Sequence, residues 1–495
     1  MLADSVRVTK SYFFVGIGGS GMLPLAQIVR AGGATVAGSD RAYDKAVGDQ
    51  GRGDAKFDAL RQAGVALFAQ DGSGVTSGEQ IVVASAAIED SVPDIARAHA
   101  LHCMRLTRAE LLAELFNAAP VRIAIGGTSG KSTVTGMIGW ILTKCGRDPT
   151  IMNGAVMKNF AASARVGTGP FVSEVDESDG SITLYRPTVA VLNNVAVDHK
   201  PIEELRGLFG AFLAAAADAA VVNADNDEAV ALISPPARPE PVEGLPSFPS
   251  DGPEKGRAST SSANRMGIEF GLTEGADLRA TDIVERPDGV DFIVEHGEQR
   301  LPATLRMPGR HNVSNALAAI GASIAAGVAL ADAIRALAAF DGLSRRMDVV
   351  GTANGVTVID DFGHNPDKIA ATLSTLHAFT GRLLVLFQPH GYGPLKQMGR
   401  ELADAFRANL HGDDRLIVSD PAYFGGTVDR SVGSDALVAM VGGQAEHIAS
   451  RDACGDRLVE LAQSGDRVVV MGARDDSLSV FARGVLERLQ PIAPA

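Results

Sequence analysis

The stretch I-G-G-T-S-G-K-S-T-V-T-G at residues 125–136 sets a lysine and two hydroxyls directly after a glycine-bracketed turn. Such a loop wraps phosphates. Its backbone N–H groups and the Lys131 ammonium would face the β- and γ-phosphates, and the Ser132 hydroxyl would be a ligand for Mg²⁺. Ile125 stands where a strict Walker A loop has its first glycine. The remaining residues, Gly127, Thr128, Ser129, Gly130, Lys131, Ser132 and Thr133, still read as a nucleoside-triphosphate loop. Phosphoryl transfer also needs acids at neighbouring strand ends. G-P-F-V-S-E-V-D-E-S-D-G-S supplies Glu174, Asp176, Glu177 and Asp179, and T-V-A-V-L-N-N-V-A-V-D-H-K supplies Asp198 and His199. Acids in turns are usually just solvated. Beside a lysine loop they become candidate metal ligands, and an acid paired with a neutral histidine suits a second cation.

A second glycine loop precedes this one. F-V-G-I-G-G-S-G-M, residues 14–22, carries Gly16, Gly18 and Gly21 in G-x-G-x-x-G spacing, which brings backbone N–H groups to a diphosphate at a helix N-terminus. T-V-A-G-S-D then ends in Asp40, where a ribose-binding acid would sit. Alone, these residues suit a nicotinamide oxidoreductase, or glycines that serve packing only.

Both loops need a buried strand before them and a helix after, and the chain provides that alternation almost throughout. It predicts an α/β protein of three domains: a Rossmann-like N-terminal domain at residues 1–118, a central P-loop ATPase-type domain at 119–339, and a Rossmann-like C-terminal domain at 340–495. Residues 234–262, rich in Pro, Ser, Gly and charge, read as a disordered insertion in the central domain, or else as a domain boundary. The 495 residues are too many for a single core. A net charge of −14 argues against a general binder of nucleic acid or anionic membrane. Three scattered cysteines suggest neither a disulfide framework nor a zinc cluster, and hence a reducing compartment. Without a secretory pattern at the N-terminus or about 20 uninterrupted apolar residues, a cytoplasmic protein with no membrane span is expected.

In their shared order these pieces resemble the Mur ligase family of ATP-dependent peptidoglycan amide ligases, over nearly the whole chain. The resembling segments are F-V-G-I-G-G-S-G-M with G-S-D, V-A-S-A-A-I-E-D-S-V-P-D-I-A-R-A, L-T-R-A-E-L-L-A-E-L-F, G-G-T-S-G-K-S-T and S-E-V-D-E-S-D-G-S. P-G-R-H-N-V-S-N-A-L-A-A-I-G-A-S, F-D-G-L-S-R-R-M-D-V-V-G, I-D-D-F-G-H-N-P-D-K-I and F-Q-P-H-G-Y complete the set. The resemblance implies that the first loop holds the diphosphate of a UDP-N-acetylmuramate-like nucleotide sugar through Gly18, Gly19, Ser20, Gly21, Met22, Asp40 and Ser85. It implies ATP on the second loop, with His311, Asn312, Asn315, Arg346 and Asp361 completing the site. Lys131, Glu174 and His199 would be catalytic, with Mg²⁺ held by Ser132, Glu174 and His199. The implied reaction activates the sugar's carboxylate as an acyl phosphate for attack by an amino acid (L-alanine or similar) or a short peptide. Closure of the domains on binding is then expected. A non-catalytic UDP-sugar- and ATP-binding paralogue is the alternative.

The chain departs from the family pattern most on the amine side, where Phe362, His364, Asn365, His390 and Lys396 are the candidates. Ser129 replaces a usual histidine, Asn193–Asn194 a usual Thr-Asn, Phe362 a usual tyrosine, Asn365 a second histidine and Arg474 a usual glycine. In F-Q-P-H-G-Y-G-P-L-K, Gly391 and Pro394 stand where the alanine-adding branch has two arginines at the amino-acid end of its site. Neither residue replaces an arginine fork on a carboxylate. The resemblance therefore leaves the amine open, L-alanine or another.

Overall fold

A computed structural model describes residues 10–48, 55–86, 88–196, 200–233, 266–423, 429–473, 475 and 477–490. The segment 234–262, read above as an insertion, lies outside the described residues, as do Asp198, His199 and Arg474.

Three sheets organise the chain. The first has five parallel strands in the order Ala66–Phe68, Thr35–Ser39, Ser11–Val15, Gln80–Ala84, Arg105–Thr107. Its central strand, S-Y-F-F-V, has no polar alternation because helices cover both faces. The order reverses between Ser11–Val15 and Gln80–Ala84. The crevice outside their carboxyl ends, where α/β sheets bind ligands, therefore opens at Gly16 and Ser85.

The second sheet has ten strands and carries the lysine loop near its middle. Arg122–Gly126 lies between the parallel strands Val189–Leu192 and Phe171–Glu174. Beyond Met266–Gly271, three longer strands, Leu278–Arg286, Gly289–His296 and Gln299–Leu305, extend the sheet, antiparallel to one another. The third sheet runs Asp348–Ala353, Val356–Asp361, Arg467–Gly472, Leu383–Gln388, Arg415–Val418, Ala445–His447, all parallel except the first strand.

The hydrophobic cores do not divide as the sheets do. Tyr12, Phe14, Leu111 and Phe116 of the first unit share one buried cluster with Phe171, Tyr185, Phe209 and Phe212 of the second. The Phe116 ring meets Phe171 at 5.6 Å and Tyr185 at 5.2 Å, both edge-on. The third unit buries its own two clusters, such as Leu383, Val385 and Phe406 on one face of its sheet. Its junction with the central unit includes the ion pair Lys158–Asp348 at 2.8 Å and a lone β-bridge between Met157 and Leu343. Among the described residues no helix is long and apolar enough to cross a membrane.

Candidate active site

Strand register brings the site together. Ile125 pairs with Glu174 and Gly126 with Leu192, so Glu174 and the Asn193–Asn194 pair reach the lysine loop from opposite sides. Ser132, in the first turn of the helix Lys131–Lys144, donates its hydroxyl to Glu174 Oε2 at 2.7 Å. Burial raises the Glu174 carboxyl above the usual range, opposed by this hydrogen bond and by the charges of Lys131 and Arg346.

Lys131 Nζ donates to the Gly127 carbonyl at 2.6 Å and to both oxygens of Glu177, at 3.1 and 2.9 Å. These contacts use all three N–H groups of the ammonium. Glu177 is only 4% exposed, so the pair is largely screened from water. On the other flank, Asn194 Oδ1 accepts from the Thr128 hydroxyl and from the Ser129 N–H, both at 2.8 Å. Asn193 Nδ2 donates to the Ser129 carbonyl at 2.9 Å and to Asn315 Oδ1 at 3.0 Å. Asn315 donates on to Asn312 Oδ1 and Asn312 to the Pro308 carbonyl. This amide relay ties the loop to the start of the helix Arg310–Ala325.

Residues Thr128 to Thr133 then line a cleft of about 410 Å³ together with His311, Asn312, Asn315, Arg346 and Asp361. Met307, Gly363, Asp367, Lys368 and Thr372 also border it, so it lies between the central and third units. Gly127 is not in this lining. Arg346 sits between two residues of left-handed backbone, Arg345 at φ +61° and Met347 at φ +49°, with its guanidinium 4.4 Å from the Phe362 ring centre. Burial lowers its pKa while the Asp361 and Glu174 carboxylates act to raise it. Asp361 is fixed by the N–H groups of Met347 and Gly363 and by the Thr372 hydroxyl, each at 2.9 Å.

The first loop forms a second cleft of about 420 Å³. Gly19, Ser20, Gly21, Met22 and Ser85 line it from the first unit, and Met152, Asn153, Gly154 and Glu174 from the second. Gly18 and Asp40 do not border it. The Gly18 N–H donates to Asp40 Oδ2 and the Ala42 N–H to Asp40 Oδ1, both at 2.8 Å, so Asp40 braces the glycine turn with both oxygens.

Arg108, Leu112, Met152, Asn153 and Gly154 of this lining escape a reading of the sequence alone. Arg108 opens the helix Arg108–Asn117 behind a complete Thr107–Glu110 capping box, and that helix start was the available signal. Gly154 lies so close to Glu174 that a Cβ there would stand 2.0 Å from Oε1, and no local pattern announces this.

The amine-side candidates scatter more. The His364 ring is 5.3 Å from Phe362 and 5.0 Å from His390, and its Nδ1 donates to the Phe362 carbonyl at 2.8 Å. Burial pushes His364 down to about 3, which keeps the ring neutral. The Asn365 side chain accepts from the Lys368 N–H and caps the helix Pro366–His377. Lys396 pairs with Asp429 at 2.6 Å and lines neither cleft. For a divalent cation, Ser132 and Glu174 offer the hard oxygen donors that Mg²⁺ takes. No group of three acidic, histidine or cysteine ligands forms among the described residues. Phosphate oxygens and water are the usual remaining ligands of such an ion.

Sequence profiles match three segments: "Mur ligase family, catalytic domain" at residues 11–119, "Mur ligase middle domain" at 249–323 and "Mur ligase, glutamate ligase domain" at 345–474. The chain is 33% identical over 474 residues to a UDP-N-acetylmuramate–L-alanine ligase of Geobacter sp. (strain M21), covering 93% of this chain and 94% of that protein. It is 33% identical over 491 residues to the ligase of the same name from Caulobacter sp. (strain K31), with 96% of each chain covered. In fold it is similar to the crystal structure of the UDP-N-acetylmuramate–alanine ligase of Thermotoga maritima, with a TM-score of 0.72 at 22% identity over 97% of this chain and 99% of that one. A murein peptide ligase of Psychrobacter arcticus gives 0.66 at 23% identity over 98% and 100%.

Proposed function

The chain belongs to the Mur ligase family, and on that premise we propose that it is an ATP-dependent ligase joining the carboxylate of UDP-N-acetylmuramate to the amine of an amino acid such as L-alanine, in peptidoglycan precursor synthesis. One observation carries the reading. Glu174 borders the glycine-loop cleft and accepts a hydrogen bond from Ser132, which lines the lysine-loop cleft. A sugar nucleotide in the first cleft and ATP in the second would meet there.

The backbone of residues 19–22 and Arg108 would hold the diphosphate, and Ser85 lies at the same switch point. Lys131 and the loop amides would hold the β- and γ-phosphates, with His311, Asn312, Asn315 and Asp361 around the nucleotide. A sugar carboxylate oxygen attacks the γ-phosphorus, ADP leaves, and an acyl phosphate forms. The amine then attacks the carbonyl carbon, loses a proton, and inorganic phosphate departs from the tetrahedral intermediate. Carboxylate and γ-phosphate are both anionic, so Lys131 and Arg346 serve chiefly to offset their repulsion as they approach. Mg²⁺, held by Ser132, Glu174 and His199, would supply further charge neutralisation on the phosphates. We assign the units as residues 1–118, 119–339 and 340–495, and place the enzyme in the cytoplasm, where its nucleotide substrates are.

The test is ADP release from ATP and Mg²⁺ with UDP-N-acetylmuramate and L-alanine, using Lys131→Ala as the control for contaminating ATPases. Release that requires both substrates and vanishes in the variant is expected. Binding of both nucleotides without ADP release, whatever amine is supplied, would turn the reading to a non-catalytic paralogue.

A further inference from the structure

The third unit carries its ligand loops at one edge. Val356–Asp361, Arg467–Gly472, Leu383–Gln388 and Arg415–Val418 are parallel neighbours, so the segments that follow them emerge side by side. Asp361 at the end of the first already borders the ATP cleft. The end of Leu383–Gln388 lies two strand spacings away, about 10 Å. A row of rings marks the path between them. Arg346 stands over Phe362, Phe362 meets His364, His364 meets His390, and Gly391 and Tyr392 follow in the chain.

Gly391 is more than a shortened arginine. Its backbone is at φ +146° and ψ 161°, a conformation that L side chains rarely adopt, at the N-cap of the helix Tyr392–Asn409. The backbone path itself belongs to glycine here, and Pro394 packs against it. Basic groups for a carboxylate must therefore come from elsewhere; Arg346 and Lys368 border the ATP cleft, and two more lie beyond it. Lys396 is tied to Asp429. Arg430 is different: its guanidinium carbon lies 3.8 Å from the Tyr423 ring centre and 5.8 Å from that of Tyr392. The two tyrosines meet edge-on at 6.5 Å. Arg430 is exposed, and among the described residues it has no ion pair or hydrogen bond.

Stacking on a ring occupies the face of a guanidinium and leaves its N–H edge open, and that edge is the part that grips a carboxylate bidentately. Nothing in the described fold uses this fork. We propose that Arg430, held on Tyr423 and Tyr392, binds a carboxylate of the incoming amine substrate, in place of the arginines that Gly391 and Pro394 exclude. The inference rests on the ligase reading above and gives it an acceptor determinant. The acceptor class is an amine bearing a free carboxylate. Single amino acids and short peptides both meet that description.

The experiment measures ADP release by the full chain with ATP, Mg²⁺ and UDP-N-acetylmuramate. L-alanine, L-alaninamide and a murein tripeptide are varied as separate acceptors, for the wild type, Arg430→Ala and Arg430→Lys. For whichever carboxylate acceptor is used, Arg430→Ala is expected to raise its KM about tenfold or more, as loss of a charge-assisted fork should. The KM values for ATP and UDP-N-acetylmuramate should not move. Arg430→Lys should recover only part of the loss, and the amidated acceptor should no longer distinguish wild type from Arg430→Ala. An unchanged acceptor KM in Arg430→Ala, with ADP release intact, overturns this inference and leaves the ligase standing. No release with any acceptor overturns the ligase reading and this one with it.

Discussion

The two glycine loops start alike, each leaving a buried parallel strand for a helix N-terminus, but they prepare for phosphate in opposite ways. The first carries no charge of its own. Asp40 braces its backbone from behind, and its cation, Arg108, comes from the start of another helix. The second carries its cation inside the loop and holds it on an acid, since both Glu177 oxygens accept from Lys131. On the ligase reading, the paired cation of the second loop exchanges a carboxylate for a phosphate. The first arrangement suits a substrate that is only held in place, the second a phosphate that is transferred.

That contrast can be broken deliberately. Lys131→Ala should lower kcat by about 10³-fold, the scale for removing a preorganised donor at developing charge. It should leave the Kd of the UDP-sugar unchanged, as titration calorimetry would show, and a parallel loss of sugar affinity would mean that the loops do not act separately. Gly154→Ala drives a methyl into Glu174. Displacement of about 1 Å at a reacting centre costs on the order of 10²-fold in rate, so kcat should fall by that much while ATP binding is kept. Arg108→Ala should weaken the UDP-sugar by roughly tenfold to a hundredfold, the worth of hydrogen bonds to a charged group, with the KM for ATP unmoved. Glu177→Gln should have the smallest effect and the opposite sign. With the competing carboxylate gone, ADP and ATP should bind about tenfold more tightly, the worth of a hydrogen bond to a charged group, about 1.4 kcal/mol. Weaker nucleotide binding in this variant would show that Glu177 supports Lys131 in the liganded state as well.

How far the sequence alone reaches depends on whether a feature is local. Strand, loop and helix around Lys131 are contiguous, so periodicity and composition reveal them, and the acids near Glu174 stand out for the same reason. Their roles do not. Which acid meets Ser132 and which meets Lys131 follows from the register of Arg122–Gly126 against Phe171–Glu174, and strand order is not written in either segment. The Asn193–Asn315 relay spans 122 residues and is legible only once the sheet is assembled. Lys396 and Asn365 show the same limit from the other side. Each has the right chemistry for an amine site, and only the structure shows that Lys396 pairs with Asp429 and that Asn365 caps its own helix.

The aromatic cluster that joins the first two sheets has a consequence for how such a chain is assembled from parts. Phe116, at the end of one unit, is packed by Phe171 and Tyr185 of the next, whereas the third unit closes its clusters from its own residues. In terms of inheritance, three recognisable modules make only two exchangeable ones. A recombination point just after Leu343, which with Phe340 is buried in the central core, would exchange the third module as a unit. One near residue 118 would sever a single core and leave bare aromatic surface on both fragments. Both glycine loops are thus mounted on one shared core.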